Sequence, residues 1–177
     1  FQAVNSSWNF AMNMLDSVGI AGQTLVATAL GAGSVSRARQ LTRATGRAGL
    51  VTGAIIGVVF AIVGLFAGHL FSPTPHVQIL IAVGMVTMGV FFPLQGWMMA
   101  IDGILIGARD YRYLAGTCTL TAVVYIALIL VLASIVTPIM PNDLSRTAML
   151  WAAFNVVLMG GRGLFNGLRV RSDVWMK

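Results

Sequence analysis

Charge is what this chain has least of. Charged residues fill 9% of its 177 positions, against about a quarter in a soluble domain. Glutamate is absent, so five aspartates supply every side-chain carboxylate. The single Cys118 excludes an internal disulfide and reads as a small apolar filler. No Cys/His cluster has metal-ligand spacing, which removes a zinc site. Ser/Pro-rich linkers, charge blocks and low-complexity tracts are also missing, so a single transmembrane lobe over residues 1–177 is the simplest partition. What remains is apolar: 58% of the residues are hydrophobic, which places the chain among integral membrane proteins.

Crossing about 30 Å of hydrocarbon takes about 20 helical residues. Five segments reach that length, near Val4–Leu30, Ala48–Leu70, Val77–Ile106, Leu114–Ile139 and Ala148–Leu168. All are expected to be helices, because hydrocarbon offers the backbone no other hydrogen-bond partner and the alternation of a barrel strand is missing. The fold class is therefore an all-α five-helix bundle. Pro93, near the middle of the longest segment, predicts a kink or tilt.

Positive residues sort by loop. Arg37, Arg39, Arg43 and Arg47 follow the first segment, Arg109 and Arg112 the third, and Arg169, Arg171 and Lys177 the last. The second connection has none, and the fourth has only Arg146. With alternating helices these nine fall on one side, which predicts a cytoplasmic C-terminus and an external N-terminus in a plasma (inner) membrane. A chain that starts at Phe1 on the outer face, without a signal-peptide pattern, is expected to be the C-terminal piece of a longer polytopic protein. Gly31 and Gly33 are expected to end the first helix, with Ser34 or Ser36 capping the next. Arg39, Gln40, Arg43 and Arg47 then share one face of a juxtamembrane segment among anionic headgroups. No aromatic residues interleave with them, so nucleic acid is not an expected partner.

The first segment carries a polar stripe. Gln2, Asn5, Asn9, Asn13, Asp16 and Gln23 fall within roughly 80° of the helix circumference at 100° per residue, while Trp8, Phe10 and Met12 lie outside it. Polar groups at bilayer depth usually face a cavity or a bundle interior, so the stripe is expected to line a substrate or ion path.

Two stretches carry a family resemblance. Leu15-Asp16-Ser17-Val18-Gly19-Ile20-Ala21-Gly22-Gln23, running on to Ala29-Leu30-Gly31-Ala32-Gly33 and Ala38-Arg39-Gln40-Leu41, is one. The other is Ile101-Asp102-Gly103-Ile104-Leu105-Ile106-Gly107-Ala108-Arg109-Asp110-Tyr111-Arg112-Tyr113-Leu114. Both resemble the C-terminal lobe of multidrug and toxic compound extrusion (MATE) transporters of the DinF-like branch. The resemblance implies a twelve-helix antiporter of two six-helix lobes around a central cavity, with these five helices as the eighth to twelfth. The N-terminal lobe and one preceding helix would then be absent partners, and the carboxylate usually assigned to coupling in that branch would lie in the absent lobe. Two positions depart from the family pattern: Ser34 stands where an acid or Asn is common, and Arg109 where Gly is frequent.

Among the carboxylates, Asp110, Asp143 and Asp173 fall in loops or the tail and are expected to be solvated. Asp16, at mid-helix on the polar stripe, is a candidate proton or cation site; its plainer alternative is a carboxylate satisfied by Asn and Gln neighbours that fixes helix packing. Asp102 shares a face with Phe91, Gln95, Met98 and Met99, and these residues, with Asn155 of the fifth segment, are expected to line the path as well. On the fifth segment Asn155, Arg162 and Asn166 share a face, with Arg162 at a depth similar to that of Asp102. An unpaired Arg in hydrocarbon is expensive, so Asp102 and Arg162 are expected to pair and help close the cytoplasmic side. The flexible side chains of Met98 and Met99 suit apolar cargo of varied shape, with ordinary helix packing as the alternative. Gly160-Gly161-Arg162-Gly163 lacks the strand and Lys-Ser/Thr of a phosphate loop and reads as a close helix contact.

No catalytic constellation appears, and His69 and His76 read as surface residues. The family resemblance implies secondary transport as the expected function: efflux of cationic or amphipathic small molecules by antiport with protons or sodium ions, with no bound cofactor and no metal. Rival readings are a flippase for lipid-linked sugars and a non-transporting membrane assembly module.

Overall fold

The computed structural model describes residues 2–136, 138, 140 and 142–176. Five helices run in order: α1 (Gln2–Gly31), α2 (Val35–Phe66), α3 (Pro75–Gly107), α4 (Tyr111–Val136) and α5 (Asp143–Arg171). A 3-10 turn (Gly68–Leu70) follows α2, another (Asp173–Met176) follows α5, and the described residues include no strand. The expected end of the fourth segment at residue 139, and Lys177 of the basic tail, lie outside the described residues.

Helices α2 to α5 are each long and apolar enough to cross a membrane. With 30 residues α1 has the length but not the apolarity, because the polar stripe that marks it also lowers its hydropathy. The second helix departs from expectation. It begins at Val35 rather than near Ala48, so the arginine segment forms the opening turns of the span itself. Nothing between Val35 and Ala48 breaks a helix, and Ala38, Thr42, Thr45 and Gly46 continue the buried face of Gly49 and Gly53; hydropathy registers only where a helix enters hydrocarbon. The α1–α2 turn does fall at Gly31–Ser34, with Gly33 in the left-handed region at φ 70°. Ser34 occupies the cap position of α2, but its side chain makes no capping bond.

Helix α3 is the axis of the bundle, packed against α2, α1 and α5, and it runs unbroken through Pro93. The α2–α3 contact is backbone against backbone. A methyl group on Gly49 would meet the carbonyl of Gly96, one on Gly53 that of Phe92, and one on Gly57 that of Gly89. Small residues at i, i+4 and i+8 let the two helices approach this closely. Pro93 has no N–H to offer the carbonyl of Gly89, and that carbonyl is the one turned toward Gly57. On the other flank α1 meets α3 in the same way, Gly19 against Gly103 and Gln23 against Gly107.

Helix α4 is the outlying element. It buries Leu114, Thr117 and Thr121 along one stripe and exposes Leu120, Val123, Val124, Ile126 and Leu130, the surface of a lipid-facing helix. Inside α5, residues Phe154–Met159 form a π-helical stretch that resets the register between Asn155 and Arg162.

Candidate functional site

Between α1 and α5, floored by α3, lies a cavity of about 360 Å³. From α1 it is bordered by Asp16 and Gln23, from α3 by Met98, Met99 and Asp102, and from α5 by Arg162. Six of the residues singled out in the sequence thus meet at one place. Trp8 and Met12, which fall outside the polar stripe, border it as well.

The charged wall is a network. Arg162 Nη2 donates to Asp102 Oδ2. The other carboxylate oxygen accepts from Asn166 Nδ2 at 2.6 Å, and Asn166 Oδ1 accepts from Thr117 Oγ1 at 2.9 Å. Three helices are therefore tied through one buried aspartate. Both carboxylate oxygens are engaged, which is what makes a charge tolerable at this depth. Arg162 Nε is buried with no hydrogen-bond partner among the described residues.

A second polar cluster closes the cavity on its Trp8 side. Trp8 Nε1 donates to Gln95 Oε1 at 2.9 Å, Gln95 Nε2 donates to Asn155 Oδ1, and Asn155 Nδ2 donates to the Trp151 carbonyl at 2.7 Å. Phe154 packs edge-on against Trp8 with ring centroids 5.1 Å apart. Gln95 and Asn155 are fully buried and satisfied by each other and by their neighbours, so they brace the wall beside the cavity rather than border it.

The remaining sequence candidates lie elsewhere. Asn9 and Asn13 are exposed beyond the cavity, and Asn9 donates back to the carbonyl of Asn5 at 2.9 Å. Asp16 is exposed too, at the cavity mouth. Phe91 is half-buried away from it. One loop carboxylate departs from its expected solvated state: Asp110 accepts from Arg169 Nε at 2.7 Å, joining the third connection to the end of α5, with the Arg169 guanidinium 4.8 Å from the centre of the Tyr113 ring. The side chains of Asp143 and His76 are exposed, 3.7 Å apart. Among the described residues no group of three metal-ligating side chains forms.

Sequence reasoning assigned no site role to Trp8, Asn166 or Thr117. The indole N–H of Trp8 was a readable signal, since a Trp at bilayer depth needs an acceptor. Asn166 stands one turn beyond Arg162 on the face already noted, while nothing in the sequence marks Thr117.

Comparison with known proteins adds a lineage. The MatE family model matches residues 1–131. Protein DETOXIFICATION 42 of Arabidopsis thaliana is 27% identical over 134 residues, covering 76% of this chain and 26% of that protein. The chain thus spans about a quarter of the length of this curated relative. No solved structure matches.

Proposed function

This chain belongs to the MatE family, and we propose that it forms one wall of the substrate path of a MATE-type secondary transporter, one that exports drugs or organic cations in exchange for protons or sodium ions. The observation that carries this reading is the cavity of about 360 Å³ between α1, α3 and α5, in which Asp16 and Gln23 face the Asp102–Arg162 pair across a floor of Met98 and Met99. An anionic group at the mouth and an adaptable apolar floor match an amphipathic cation. Asp16 is the proposed cation or proton site in this half. The exposed polar face of α1, with Asn9 and Asn13, is proposed to meet the second lobe across the path, and the Asp102–Arg162 pair to help close the cytoplasmic side.

The same proposal puts the N-terminus of this segment outside and its C-terminus in the cytoplasm of a plasma-membrane protein. The DinF-like branch is part of it, resting on the Leu15–Gln23 and Ile101–Leu114 stretches. A flippase for anionic lipid-linked sugars would need several basic residues in the cavity, and among the described residues Arg162 is the one Lys or Arg bordering it.

Whole-cell efflux of a cationic dye from cells expressing the full gene tests the reading. Asp16→Asn keeps the shape and removes the charge. It is expected to slow efflux about tenfold or more and to flatten its dependence on external pH or sodium. Unaltered efflux with unaltered ion dependence would remove Asp16 from the coupling role, and no efflux by the native protein of any dye tested would leave the assembly-module reading.

A further inference from the structure

A second groove lies on the other side of α3. Its α3 residues, Leu94, Trp97 and Ile101, are centred about 140° around the helix from those that border the cavity, at 100° per residue. It has two adjoining parts. The upper part, about 310 Å³, lies between the start of α2 and the end of α5 and is bordered by Thr42, Arg43, Arg47 and Arg171. The lower part, about 320 Å³, is apolar and runs along α5 past Gly167, Leu164, Gly163 and Gly160. Trp97, Gly167 and Arg171 border both.

The upper part gathers cations from elements more than a hundred residues apart in sequence, and no carboxylate is among the described side chains that border it. Thr42 sharpens the point. It is 7% exposed, it borders the groove, and its Oγ1 has no hydrogen-bond partner among the described residues. A buried hydroxyl beside three guanidinium groups is a ready donor to an anionic oxygen.

The lower part decides what kind of molecule carries that anion. From Arg171 to Gly160 the groove descends about 16 Å along α5, close to half of the ~30 Å hydrocarbon core and hence to the depth of one leaflet. The Trp97 ring lies against Gly163 and Gly167, and with Leu94, Leu164 and Leu168 it gives the slot an apolar wall. A charged head next to a leaflet-deep apolar slot fits one class of molecule.

We propose that this groove is a discrete site for an anionic phospholipid, its phosphate held by Arg43, Arg47, Arg171 and Thr42 and one acyl chain lying along Trp97 and the glycine face of α5. The site is separate from the transport cavity and does not depend on its function. An occupant there would staple α2 to α5, two helices otherwise joined mainly through α3.

Native mass spectrometry of the full-length protein in detergent, with added phosphatidylglycerol, phosphatidylcholine or inorganic phosphate, tests this. Native protein is expected to retain one equivalent of phosphatidylglycerol at least fivefold better than phosphatidylcholine, and inorganic phosphate in excess is expected not to displace it. The combined R43Q/R47Q/R171Q variant and, independently, Gly163→Leu are each expected to reduce that retention at least fivefold, while Arg112→Gln on α4 leaves it unchanged. Equal retention of the two lipids, displacement by phosphate, or loss in Arg112→Gln alone would overturn the proposal. Should the groove variants not yield folded protein, quenching of tryptophan fluorescence in the native protein by brominated lipids decides: brominated phosphatidylglycerol is expected to quench at a several-fold lower mole fraction than brominated phosphatidylcholine, and equal quenching would sink the site.

Discussion

Toward α2, helix α3 presents Gly89 and Gly96 and meets Gly49, Gly53 and Gly57 with no side chain between the backbones. Toward the space between α1 and α5 the same helix presents Met98, Met99 and Asp102, and a cavity of about 360 Å³ opens. The seam gains its cohesion from dispersion and Cα–H···O contacts at close range, since lipid tails offer no hydrophobic drive for helices to associate. The cavity wall is held instead by a few hydrogen bonds to charged groups, each of which has another possible partner in water or in cargo. A bundle built this way has a rigid half and an adaptable half on one shared helix.

The largest effect is expected at the seam. Gly53→Leu drives a side chain into the Phe92 carbonyl and the Pro93 backbone, neither of which can yield as a flexible side chain does. The expected destabilisation reaches or exceeds the upper end of the ~1–3 kcal/mol of ordinary overpacking. Little monodisperse protein should be recovered by size-exclusion chromatography, and native-like yield would show the seam to be looser than described.

Next in size is the network. Arg162→Ala leaves Asp102 buried beside Asn166 without its cation, a loss of about 3 kcal/mol at the low end for a broken buried pair. A thermal-shift assay should register it, and the D102R/R162D swap should recover part of it. A swap no better than either single change would show that the two groups do not act as a pair.

The smallest effect is at the connection between α3 and α4. Arg109 has φ 61°, a conformation that costs a residue with a Cβ roughly 1 kcal/mol. Arg109 stands where Gly is frequent in the family that the sequence resembles. Arg109→Gly is therefore expected to raise the melting temperature slightly, the gain being partly offset by the greater freedom of Gly in the unfolded chain. A lower melting temperature would mean that the Arg109 side chain contributes more than its backbone costs.

Much of this was legible because a bilayer restricts the answers. Helix length and depth counting sufficed to set Asp102 opposite Arg162, and Leu30–Ser34 announced the first turn by its glycines. The start of α2 was misplaced, because the arginines read as a separate juxtamembrane turn or two although Ala38, Thr42 and Thr45 carry the buried face straight through them into the span. The α2 seam was written at i, i+4 and i+8 in Gly49, Gly53 and Gly57 but does not register in a search for polar groups. Trp8 was sorted by its apolar ring, and its N–H makes the contact that matters. No residue type in Phe154–Met159 announces the π-helical stretch; tertiary packing sets it, so the face shared by Asn155 and Arg162 depends on a register that sequence counting cannot supply.

The transport reading requires the polar side of α1 to face water and not lipid. Single cysteines at Asp16 and at Ile55, in a Cys118→Ser background of the full-length protein in membranes, set the two cases side by side: both positions are exposed in the bundle, Ile55 at 62% on the outer face of α2. A charged, membrane-impermeant maleimide is predicted to label Asp16→Cys at least tenfold faster than Ile55→Cys, and, on the proposed function, a cationic dye in excess is predicted to slow that labelling. Equal, negligible labelling at both positions would place Asp16 in hydrocarbon and contradict the account.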